Sequence, residues 1–313
     1  MAGRDQSSAG KGGPGAEHEQ SHHQDNDREQ PPRHRVPLSS VPGILPHGLL
    51  ASTGARSPRF PLSTCHRAAP SATLWSVPAS ANPVRAAVVD FDGTICEHDV
   101  SEEILRAFAT PEWMDIDIRF QRGEIGSREC LVRQGALLEG TRRDMLRYAL
   151  DRYAIDPTFA PFVAWAQDVG IEVAVASDGL GFYIEPMLRS AGVAGISILT
   201  NEVTFVPGER PSFFLPNAHP VCVGCGTCKM QAVLARRDRL GPVAFVGEGH
   251  SDRYGALYAD VVFAKKHLVD ICGADGVTFH PWETFDDVRT GLESLNGSPE
   301  WTGPERCPGW KTP

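Results

Sequence analysis

Two carboxylates stand two residues apart in Asp90-Phe91-Asp92-Gly93-Thr94, directly after a short apolar run. If the chain stays extended there, both side chains point to the same side. Two like charges so close are costly unless a cation offsets them. A hard divalent ion with oxygen ligands, magnesium above all, does that and also binds a phosphate oxygen. An Asp-x-Asp by itself is as often a plain turn; the preceding strand pattern, Gly93 and Thr94 give this one weight. Three further clusters suit phosphate chemistry. The hydroxyl of Ser177 can donate to a phosphate oxygen, and the amides of Asp178 and Gly179, entering the next helix, would form an anion nest. Alone, Ser177 reads equally well as a helix cap. Lys229 opens a helical stretch, where a cation opposes the helix dipole, so its placement favours a bound anion over the usual solvated lysine. Glu248 and Asp252 follow another apolar run and would complete a metal's oxygen shell, one directly and one through water. Their bland alternative is a capped helix start.

The elements that must position these clusters are legible as runs. Residues 84–89, 171–176, 243–246 and 261–264 are short and mostly apolar, as expected of buried parallel strands. Helical spacing lies between them at 157–169, 183–190 and 230–237. Such alternation predicts an α/β fold, a doubly wound, mostly parallel, Rossmann-like sheet with helices on both faces. Chemistry in such folds gathers beyond the carboxyl ends of the strands, which is where the polar clusters fall. Between the first two strands, segments 100–109, 112–121, 127–138 and 142–152 have helical apolar spacing, with Ser101 as a candidate N-cap. They read as a small helical cap inserted after the first strand, over residues 99–155. The core then takes 84–98 and 156–295, and 296–313 forms a C-terminal tail.

Residues 1–80 are rich in Gly, Ser, Pro, Gln and His, with only isolated apolar islands. That composition buries too little surface to offset the entropy of ordering, so it predicts a disordered tail. The His22-His23 pair within it reads as solvated polar chain rather than a metal site. A net charge of −9 argues against a general nucleic-acid binder. There is no apolar run long enough for a membrane span and no secretory signal pattern, so the expected location is cytoplasmic.

The four clusters, in this order and spacing, resemble the four motifs of haloacid dehalogenase-like phosphatases. The closest resemblance is to the phosphoserine-phosphatase-like branch, whose helical cap lies between the first two motifs. Within it, Cys225-Gly226-Thr227-Cys228-Lys229 and the run 259–265 look like the methionine-salvage enol-phosphate phosphatase group. The resemblance implies that Asp90 is the nucleophile and Asp92 the general acid/base. Ser177 and Lys229 then bind phosphate, Glu248 and Asp252 serve the metal with Asp90 and Asp92, and the partner is a small phosphorylated metabolite. Glu248 stands where the fourth motif usually has aspartate. Asp92-Gly93-Thr94 and Ser177-Asp178-Gly179 also depart from the Asp-Ser-Thr and Ser-Gly-Gly of phosphoserine phosphatases. Those enzymes' serine-binding acid falls near Asp99 and their cap arginine near Arg133 or Gln134. Phosphoserine is therefore not the favoured substrate.

Cys222, Cys225 and Cys228 have a spacing that invites zinc, but a distant second ligand pair is missing from the sequence pattern. A glycine-rich loop of reduced thiols that places Lys229 is the preferred reading. Two rivals to hydrolysis stay open: phosphotransfer on the same scaffold, and a non-catalytic ligand- or zinc-binding protein that retains the fold.

Overall fold

The computed structural model describes residues 82–297, 301 and 303–312. The segment expected to be a disordered tail, 1–80, lies outside the described residues. Strand β1 (Ala86–Val89) leads into four helices, α1 (Val100–Phe108), α2 (Trp113–Gln121), α3 (Ser127–Gly135) and α4 (Arg142–Arg152). Next come α5 (Phe159–Asp168), β2 (Glu172–Leu180), α6 (Gly181–Ser190), β3 (Ser197–Thr204) and β4 (Ser212–Phe214). The chain continues with α7 (Lys229–Leu240), β5 (Val243–Gly247), α8 (Arg253–Ala256) and β6 (Val261–Ala264). It closes with α9 (His267–Asp275), β7 (His280–Pro281) and α10 (Phe285–Glu293).

The strands form one sheet in the order β4-β3-β2-β1-β5-β6-β7, parallel throughout except for β4 against β3. The expected α/β architecture is therefore present. β1 sits at its centre, with Ala86 in register with Glu172 on one side and Val243 on the other. All four β1 residues are buried, because a central parallel strand has both faces covered. Ala87 and Val89 pack on one face with Phe159 and Phe162 of α5, Ile184 of α6 and Val288 of α10. Ala86 and Val88 pack on the other with Val233 of α7, Phe245 and Leu268 of α9. Each large apolar side chain fully buried in this way contributes about 1.5–3 kcal/mol, so the strand that leads into the paired carboxylates is anchored on both faces.

Strands β3, β4 and β7 and helices α8 to α10 were not anticipated. β3 mixes exposed Ser, Glu and Thr with apolar residues, and β7 is only two residues long, so neither carries a strong periodic signal. The cap is helical as expected, but Asp99 caps α1, accepting from the Glu102 amide at 2.8 Å. Ser101 instead lies inside the first turn. Residues read as a C-terminal tail pack on the core. Trp301 stacks on Tyr258 with centroids 5.5 Å apart, and Cys307 is buried. The Lys311 carbonyl accepts from Val223 at 2.9 Å. Two tryptophans and a cysteine supply this segment with an apolar anchor that its Pro- and Gly-rich composition obscures. No described helix is long and apolar enough to cross a membrane.

Candidate active site

The strand ends bring the predicted clusters together. Asp90 extends the ladder by one residue, its amide donating to the Val246 carbonyl at 3.0 Å. The chain then turns sharply, with Thr94 and Cys96 both donating to the Phe91 carbonyl. Gly93 has φ +71°, and a Cβ there would lie 2.6 Å from Glu248 Cδ. The backbone conformation favours glycine, and any side chain here would also displace the end of Glu248.

Lys229, the first residue of α7, is 2 % exposed and reaches back under this turn. Its Nζ lies 2.8 Å from Asp90 Oδ1 and 2.6 Å from Asp252 Oδ1, and it donates to Ser251 Oγ at 2.9 Å. Burial opposes the ammonium charge, but Asp252 and then Asp90 more than offset this and hold Lys229 above its ordinary value. The anion expected beside this helix-start cation is thus already supplied within the protein. Asp252 is fully consumed by the arrangement: its Oδ2 accepts from the amides of Glu248 at 2.8 Å and Gly249 at 2.9 Å. Both Asp252 oxygens thus have partners within the protein, which suits the water-mediated one of the two expected metal roles better than the direct one. Burial, followed by the charge of Asp252, pushes the Asp90 carboxyl well up, with Lys229 opposing.

Asp92 is gripped from two directions. Its Oδ1 accepts from the Val100 amide of the cap at 3.0 Å, and its Oδ2 accepts from the Tyr183 hydroxyl of α6 at 2.6 Å. Ser101 Oγ lies 2.7 Å from the Tyr183 hydroxyl. Burial raises the Asp92 carboxyl to about 6, against the lowering effect of these hydrogen bonds. The sequence pattern gives Ser101 only a capping role and Tyr183 no role in the site, because only the fold brings them to Asp92.

Ser177 is buried at the end of β2, and its Oγ accepts from the Gly179 amide at 3.0 Å. β2 runs on to Leu180 through a register shift, and α6 begins only at Gly181. The expected nest at a helix start is therefore displaced: Asp178 and Gly179 belong to the strand end. Asp178 turns its carboxylate to the Thr227 amide at 2.6 Å and so ties the loop before Lys229 to β2.

Asp90, Asp92, Ser177, Asp178, Gly179 and Glu248 line one cavity of about 420 Å³. Cap residues Leu105, Trp113, Phe120 and Leu131 cover it, with Asp99, Glu102 and Asp117 among them, while Lys266, His250 and His267 stand on the core side. Asp90 Oδ1 is buried and accepts no hydrogen bond beyond its ion pair with Lys229. That oxygen, with Asp92 and Glu248 on the same cavity, belongs to a hard-donor set that fits magnesium. Among the described residues no three His, Cys, Asp or Glu side chains are already drawn together as a metal cage. Glu248 Oε2 is instead 3.4 Å from Lys266 Nζ.

The cysteine loop is pinned from outside. Cys222 Sγ accepts from the amides of Gly224 at 3.4 Å and Lys311 at 3.3 Å. The seven described cysteines are free thiols.

The signature of the haloacid dehalogenase-like hydrolases matches residues 87–256. A 2-hydroxy-3-keto-5-methylthiopentenyl-1-phosphate phosphatase from Brevibacillus brevis is 34 % identical over 210 residues, 66 % of this chain and 94 % of that protein. Its counterpart from an Exiguobacterium species is 30 % identical over 212 residues, 67 % of this chain and 97 % of that protein. In fold, a phosphoserine phosphatase from T. onnurineus superposes with a TM-score of 0.52 at 18 % identity, covering 70 % of this chain and 98 % of that one. The chain belongs to the haloacid dehalogenase-like hydrolases. It is an enzyme, a phosphatase of that family.

Proposed function

We propose that this enzyme hydrolyses a small phosphate monoester with magnesium, through an aspartyl-phosphate on Asp90. The observation that carries the reading is the Asp90 carboxylate, buried at the end of the central strand, paired with Lys229 and facing the cavity. Asp90 Oδ attacks phosphorus, and the bond from phosphorus to the ester oxygen breaks. Asp92 gives its proton to the departing oxygen. As a carboxylate it then takes a proton from the water that attacks the aspartyl-phosphate, which frees inorganic phosphate and restores Asp90. Lys229 and Ser177 hold the phosphoryl oxygens in line. Magnesium, which Asp90 and Glu248 would hold with Asp92 beside it, would neutralise phosphoryl charge and keep Asp90 ionised despite its burial.

The cap supports an uncharged, partly apolar leaving group. Trp113, Phe120, Leu105 and Leu131 offer apolar surface, the carboxylates of Asp99, Glu102 and Asp117 repel a second anion, and no arginine lines the cavity. This favours an enol-phosphate of the kind named for the bacterial relatives over phosphoserine, whose carboxylate would meet a lysine, Lys266, that Glu248 already engages. Free thiols throughout the described residues support a reducing, cytoplasmic setting. The test is Asp90→Asn, since an amide is a far poorer nucleophile than a carboxylate. The variant is expected to lose turnover and the phospho-enzyme that acid quenching and mass spectrometry detect in the wild type. Wild-type turnover in Asp90→Asn would make a water molecule the attacking group instead.

A further inference from the structure

The hydroxyl of Tyr183 stands in otherwise apolar surroundings. The ring is fully buried, 6.1 Å from Phe91 and 5.4 Å from Phe182 between centroids. Phenylalanine would satisfy that packing, so the hydroxyl has a separate reason to be there. Its proton goes to Asp92 Oδ2 at 2.6 Å. With that proton committed, the 2.7 Å contact with Ser101 is filled by the Ser101 proton. A directed chain runs from Ser101 of the cap through Tyr183 of the core to Asp92, and each bond in such a chain polarises the next. The gap beside it is sized for the contact. A Cβ on Gly179 would fall 2.3 Å from the Tyr183 oxygen and 2.4 Å from Asp92 Oδ2.

We infer that Tyr183 is a positioning residue for the proton-transfer step: it fixes Asp92 Oδ2, with Ser101 locking the phenol, so that the carboxyl faces the leaving oxygen in one orientation. The Val100 amide holds the other oxygen, and Ser101 Oγ, 3.5 Å from Oδ2, is too far to hold it firmly alone, so losing Tyr183 frees the carboxyl to tilt about the Val100 bond. A displacement of about 1 Å at a reacting group is enough to cost ~10²-fold. The inference rests on the acid role proposed for Asp92, and the test separates the two.

The experiment measures single-turnover formation of the phospho-enzyme by acid quench, a step that precedes the base role of Asp92, for wild type, Tyr183→Phe, Asp92→Asn and the double variant, with magnesium, on an alkyl phosphate and on p-nitrophenyl phosphate. Nitrophenolate leaves without a proton, so only the alkyl substrate reports on the acid. Tyr183→Phe is expected to slow phospho-enzyme formation from the alkyl phosphate by ~10- to 100-fold, with little effect on its formation from the aryl substrate. In the Asp92→Asn background the same change should add nothing, because a residue that acts through Asp92 has nothing left to position. Equal losses on both substrates, a loss that persists in the double variant, or no loss would each overturn the positioning role. If Asp92→Asn itself treated the two substrates alike, the acid role would fall and take the inference with it.

Discussion

Replacing Asp252 by asparagine distinguishes a residue that builds the site from one that binds metal. Asp252 has no exposed surface; one oxygen faces Lys229 at 2.6 Å and the other accepts two amides at 2.8 and 2.9 Å. Asparagine offers one acceptor oxygen and one donor group. If its oxygen faces Lys229, its NH2 meets two N–H groups. If it flips, the NH2 meets the ammonium. Removing one charge of a buried pair costs about 3–5 kcal/mol, and the surviving Asp90 contact keeps the loss within that range. For a domain of this size, each kcal/mol lowers Tm by about 2–4 °C, so a fall of roughly 6–20 °C is expected. The assay is urea and thermal unfolding of the metal-free protein, paired with magnesium titration of activity well below Tm. Glu248→Gln is the contrasting variant. Its partner Lys266 is 44 % exposed, so the pair is worth only about 0–1 kcal/mol, and the variant should keep its stability while needing more magnesium. A stable Asp252→Asn protein with a raised magnesium requirement would refute the reasoning and return Asp252 to the metal.

Two further outcomes follow from the same site. Burial lifts Asp92 from 3.8 to about 6, so folding favours its protonated form. The stability this adds is full below about pH 4 and is lost as pH rises through about 6. In metal-free protein, urea midpoints should therefore fall over that window, and Asp92→Asn should flatten the fall; an identical slope in the variant would assign it to other groups. In the cysteine loop, serine at both 222 and 225 should leave magnesium-dependent turnover largely intact, because Cys222 serves there as an acceptor for the Gly224 and Lys311 amides. Stoichiometric zinc in the wild-type protein, lost in the variant together with folding, would show that the loop is a metal site.

The residues that proved hardest to read from sequence are those whose role depends on two distant segments meeting. The central strands were legible because their apolar runs end abruptly in polar clusters, and the cap helices because their spacing is amphipathic. Tyr183 reaches a partner 91 positions away, and inside α6 its pattern is that of a core residue. Asp252 was recognisable as a carboxylate past a strand, but which oxygens remain free depends on the backbone turn of Glu248 and Gly249. That distinction bears on why the site needs a cation at all. Lys229 was expected to await a phosphate, yet it is flanked by Asp90 and Asp252 at 2.8 and 2.6 Å. Lys266, at the rim, is engaged by Glu248 at 3.4 Å and by the carbonyls of Gly93 and Glu97 at 3.2 and 3.3 Å. A phosphate ester bearing about two negative charges thus enters a cavity whose cations already have acidic partners. One lysine cannot neutralise both its own aspartates and the incoming phosphoryl group; the proposed divalent ion beside Asp90 and Glu248 would supply the missing charge.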